Sequence, residues 1–68
     1  MRPTEIFTLI GGKKGGVYNV TLKSGEILRD RILHGMKADD LGGVFLVISE
    51  GKSTKLILTS DIRSIEEK

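Results

Sequence analysis

The chain has 68 residues, 11 lysines and arginines against 9 acids for a net charge of +2, one histidine and no cysteine. That length allows one domain with a small core, and the missing cysteine excludes disulfides and thiolate metal sites. A charge of +2 admits nucleic acid as a partner without arguing for it.

Domains this small usually add a disulfide, a metal or oligomerisation to their core. With no cysteine and a single histidine, His34, oligomerisation is the device left. No apolar run approaches the ~20 residues that span a membrane. The stretch "MRPTEIFTLIGG" is too short and interrupted for a secretory segment, so a cytoplasmic location is expected.

In chain order, "PTEIFTLI" (3–10) reads as a short helix with Pro3 in its first turn, Glu5 at the positive end of its dipole and Gly11 as its C′ residue. Ile6, Leu9 and Ile10 form an i, i+3, i+4 stripe, and a helix of this length must dock to exist. "GGKKGG" (11–16) is a linker with Lys13 and Lys14 in solvent. "VYNVTL" (17–22) alternates as a half-buried strand with Tyr18, Val20 and Leu22 on one face. "KSG" is a turn in which Gly25 supplies a positive φ. A second strand runs from Glu26 to about His34, with Leu28 and Ile32 on one face, and the glycine-bracketed 35–43 is a loop. "VFLVIS" is a third strand, "EGKS" a turn, "TKLILT" a fourth strand, "SDI" a tight turn and "RSIEE" a last short strand. Residues 1–68 form one domain, with the helix in 1–12 and the strands in 17–67.

"VFLVI" and "LIL" are apolar without alternation, unlike strands of a sheet with one wet face. The helix is too short to cover both, so a second subunit is the expected cover, with Phe45, Val47, Leu56, Leu58 and Ile65 as interface candidates.

This order of elements resembles the Sm-like (Lsm/Hfq) family. "VTLKSGEILRDRIL" followed by "VFLVI" is similar to its first motif, with Leu22, Gly25 and Ile32 in the matching places. "LILTSDIRSI" is similar to its second, ending at Ile62 and Ile65. The family's bend glycine, five residues after the turn glycine, is Asp30 here, and its Arg-Gly and Lys-His dipeptides are missing. A divergent member, of phage or environmental bacterial origin, would carry such departures.

The resemblance implies a mainly β fold, an SH3-type five-stranded barrel with a short N-terminal helix. It also implies a closed homo-oligomeric ring of five to seven subunits that binds single-stranded RNA at its pore. There the loop after the second strand and the turn before the last converge. His34 or Met36 would meet a base face, Lys37 a phosphate, and Asp39, Asp40 or Ser60 base edges, with Asp61 beside them. The alternative is a scaffold ring without RNA, since three aspartates would face the phosphates.

No enzyme, metal site or cofactor is expected. A nucleophile needs a base held by a third group, and the lone histidine has no such company. The three aromatics, Phe7, Tyr18 and Phe45, are too scattered for peptide grooves or single-strand stacking platforms of the OB type.

Overall fold

The computed structural model describes residues 1–11 and 16–68; Lys13 and Lys14 lie outside them. The elements are α1 (Pro3–Ile10), β1 (Val17–Leu22), β2 (Ile27–Ala38), β3 (Val44–Glu50), β4 (Ser53–Leu58), a 3₁₀ turn (Thr59–Asp61) and β5 (Ile62–Glu67). All strand pairs are antiparallel, in the order β4-β3-β2-β1-β5. No helix among the described residues is long and apolar enough to cross a membrane. The five strands and the helix match the sequence expectation, but the strand pairing does not close a barrel: β4 and β5 remain the two edges of an open sheet.

The inward side chains nevertheless form one core. Tyr18 and Val20 of β1, Leu28 of β2, Leu46 and Ile48 of β3, Ile57 of β4, and Ile62 and Ile65 of β5 cluster with Ile6 of α1. The helix docks through Ile6 and, at its edge, Ile10. Leu9, expected on the same stripe, is 41% exposed. Gly11 ends the helix in an ordinary right-handed conformation (φ −65°) rather than a left-handed C′ one. The Met1 nitrogen donates to the carbonyls of Thr59 (3.1 Å) and Ile62 (2.6 Å), which ties the start of α1 to the 3₁₀ turn.

The β1–β2 hairpin has a three-residue loop, Lys23–Gly25, in which Gly25 takes φ +99° as expected. Such loops end in a left-handed residue, a conformation that glycine adopts without steric cost.

β2 departs most from the sequence reading. It extends to Ala38, so the first four residues of the loop expected over 35–43 are strand, and Asp39–Gly43 turn the chain. Two irregularities divide it. Asp30 has φ +58°, the single non-glycine residue with positive φ among those described. The β1–β2 register slips opposite it, between Tyr18 and Val20. The bend shifts the side-chain phase, so Leu28 is buried while Ile32, four residues on, is 41% exposed; the expectation that both share an inner face is overturned. Farther along, Leu33 pairs with Ile48 and Gly35 with Val47, leaving His34 as the extra residue of a bulge. This puts Leu33 and Met36 both against the core, three residues apart.

The bend is held locally. The Asp30 N–H donates to Asn19 Oδ1 (3.0 Å), and Lys68 Nζ pairs with the Asp30 carboxylate. Aspartate tolerates the left-handed region better than most residues, because its short polar chain bonds locally. The Asp30→Gly variant is therefore expected to be nearly neutral. Relief of about 1 kcal/mol of left-handed strain offsets glycine's ~0.5–1 kcal/mol of chain entropy and an exposed ion pair worth ~0.2–1 kcal/mol. Asp30→Val keeps the strain, adds β-branching and loses the pair, so its thermal melt should fall by about 5–15 °C. Equal melting of the two variants would show that backbone conformation is not what Asp30 supplies.

Candidate functional site

Three segments meet at one end of the molecule. Lys37, Phe45 and Leu58 are consecutive partners across β2, β3 and β4. Just beyond this row β2 enters the Asp39–Gly43 turn and β4 enters the Thr59–Asp61 turn, so both lie at the same end of the sheet. The hydrogen bonds from the Met1 nitrogen bring the start of α1 to that end as well.

Asp39 organises its turn. Its Oδ1 accepts the N–H groups of Leu41 (2.9 Å) and Gly43 (2.7 Å), and its own N–H donates to the Gly43 carbonyl (2.9 Å). One carboxylate oxygen is thereby committed to structure rather than to a ligand. Asp40 is exposed beside it. Ser60 and Asp61 are exposed on the 3₁₀ turn, whose Thr59 is buried, and the Asp61 carbonyl accepts the Lys23 N–H (2.8 Å). Lys37 is exposed on the outer face of β2. Met36 faces inward and packs on the core edge, so it offers only part of its surface. His34 is exposed at the bulge, about 10 Å of strand before Lys37 at ~3.3 Å per residue. The fold thus gathers Met36, Lys37, Asp39, Asp40, Ser60 and Asp61 at one end and sets His34 back from them.

The second candidate surface is the outer face of β3 and β4. Phe45 pairs with Leu58 and Val47 with Leu56, and these four alternate with the inward Leu46, Ile48 and Ile57. Leu56 is 47% and Leu58 38% exposed, on a strand that has no partner on its far side among the described residues. Phe45 and Leu56 also line a groove of about 280 Å³ with Lys37, Ala38 and Asp39. Ile65, the fifth interface candidate, lies elsewhere: it is buried in the core, opposite Val20 on the other edge strand.

Sequence reading passed over one side chain at this end. Phe7 projects from α1 with 66% of its surface exposed, and with Pro3, Thr4, Thr8 and Met36 it lines an apolar groove of about 410 Å³. The available signal was that Phe7 falls off the Ile6–Ile10 stripe, which leaves an aromatic ring on the helix's outer side.

No family model, curated protein or solved structure matches the chain.

Proposed function

We propose that the chain is a divergent Sm-like protein that assembles edge to edge into a closed ring of five to seven copies. Each copy presents to single-stranded RNA the end where α1, the Asp39–Gly43 turn and the Thr59–Asp61 turn meet. The observation that carries this reading is the open strand order, with β4 and β5 as its two ends, on a sheet with its own single core and an outward apolar row, Phe45, Val47, Leu56 and Leu58, leading to one edge. Free edges invite pairing with another chain, and a head-to-tail join of unlike edges removes both when the rotation closes.

In such a ring a modest site recurs in every copy, so a strand that touches several gains avidity without any single strong contact. Lys37 is the phosphate ligand, Met36 and His34 offer base-face contacts, and Asp40, Ser60, Asp61 and the second Asp39 oxygen accept from base edges. The same three aspartates repeat negative charge around the ring. That observation favours a second reading, a scaffold ring that binds no RNA.

Fluorescence anisotropy with labelled oligo-uridine and oligo-adenosine separates the readings. Binding should weaken as salt rises, with a log–log slope that steepens by roughly 0.7 per neutralised phosphate on a single strand. Lys37→Ala should bind more weakly and with a flatter salt slope. Binding unchanged by Lys37→Ala would move the phosphate contact elsewhere. No binding at low salt would leave the scaffold reading.

A further inference from the structure

Two backbone carbonyls, those of Thr59 and Ile62, converge on the Met1 nitrogen at 3.1 and 2.6 Å. They bracket the 3₁₀ turn and lie 58 and 61 residues along the chain from Met1. The nitrogen is an ammonium, with three hydrogens and a full charge, and bonds from a charged donor are the short, strong ones. Both bonds are partly buried, so a donor lost here leaves a carbonyl that water reaches poorly.

What the nitrogen holds is α1. The Arg2 carbonyl accepts the N–H groups of Glu5 (3.0 Å) and Ile6 (3.2 Å), so the helical bonding starts one residue past the nitrogen. Eight residues make too short a helix to persist undocked. The side chains that tie this segment to the core are Met1, Ile6 and Ile10, and the ammonium is the polar tie at its start.

An amide at the same nitrogen cannot replace it. Acylation removes the charge and leaves one hydrogen for two carbonyls. It also brings a third carbonyl oxygen to a place where two acceptors already converge. A residue joined ahead of Met1 changes the nitrogen in the same way.

We propose that the Met1 nitrogen is a modification site that switches α1. Free, it clasps the helix to the 3₁₀ turn; acylated by an acyl thioester, it lets the helix go. In that transfer the N–C bond forms as the thioester C–S bond breaks, and of the two protons the ammonium loses, one ends on the thiol and one in solvent. Release uncovers Ile6, which is wholly buried while the helix is docked. The switch is independent of whether the chain binds RNA.

Three synthetic forms of the 68-residue chain test this: one with the free amine, one N-acetylated, and a desamino form with hydrogen in place of the Met1 amino group. The acetyl and desamino forms should each melt roughly 5–15 °C below the free-amine form, as expected for the loss of charge-assisted bonds in a domain of this size. By hydrogen exchange, the α1 amides should exchange about tenfold faster in both, while those of β2 and β3 keep more of their protection.

An acetyl form that melts and exchanges like the free-amine form overturns the switch. A fall in the acetyl form alone, with the desamino form unchanged, also overturns it, because acyl bulk and not the missing hydrogen bonds would then be acting. If α1 and the strands lose protection equally, the nitrogen stabilises the whole fold and no separate release of the helix exists.

Discussion

Replacing Ile6 by alanine should lower the melting temperature by roughly 10–30 °C. Ile6 is the one α1 residue wholly removed from solvent, and it belongs to the single core to which all five strands contribute. Truncating such a residue costs about 2–5 kcal/mol, the sum of lost transfer energy and the cavity left behind. A domain of this length has only about 3–10 kcal/mol in total at ~0.05–0.15 kcal/mol per residue. Each kcal/mol moves the midpoint by about 4–8 °C at this size. Leu9→Ala, at a site 41% exposed, is the control and should shift the melt far less. A scan at fixed protein concentration, with near-ultraviolet ellipticity as the probe, measures both. If Ile6→Ala melts with its parent, the helix does not hold the core closed and the contribution of α1 lies elsewhere.

The second large effect is on assembly. Leu58→Asp should convert a five- to seven-membered species into a monomer that is still folded. The side chain lies outward and 38% exposed, so a carboxylate there remains hydrated in the isolated chain. Covered by another subunit, it would be stripped of water within the apolar row of Phe45, Val47 and Leu56, a cost that exceeds what an apolar contact returns. Leu41→Asp, the same change at a side chain 95% exposed in the Asp39–Gly43 turn and off both edge strands, is the matched control and should leave assembly intact. Native mass spectrometry of protein purified with and without nuclease reads subunit number and bound nucleic acid together. A parent protein that is a stable, soluble monomer at micromolar concentration would end the ring proposal without needing the variant.

The legible parts of the fold were those with local signals. Alternation placed β1, the turn residues Lys23–Gly25 ended it, and the unbroken apolar runs marked β3 and β4. β2 resisted for a physical reason. Its phase changes at Asp30 and again at the His34–Gly35 bulge, so a period-2 reading carried from Leu28 points Ile32 inward, where the chain does not put it. Nothing in an aspartate announces a positive φ; glycine does, and the resemblance had marked this position as a missing glycine. Gly35 and its polar neighbours suggested a loop because turns and bulges use the same residues. At the candidate site, the grouping of 36–40 with 59–61 was legible only through the resemblance, since it depends on the β2–β3–β4 register. Asp39's capping of its own turn depends on a side-chain direction that no linear pattern carries, whereas the place of Phe7 off the Ile6–Ile10 stripe already sets its ring outward.

The strand order has a consequence for how the structure is reached and lost. β1 to β4 join by three successive hairpins, each closing a short loop. β5 instead returns to β1 across about 40 intervening residues, from Leu22 to Ile62. Closing a loop of that size costs more entropy than closing a hairpin, and the cost must be met before the contacts of β5 repay it. The chain therefore has a natural division of labour in time: a four-stranded meander that forms on local information, and a final strand that completes it. Ile62 and Ile65 fill the core only with that last step, and the same step brings the 3₁₀ turn to the Met1 nitrogen. Loss of β5 reverses both at once, which uncovers Val20 and loosens the helix in a single sub-global opening.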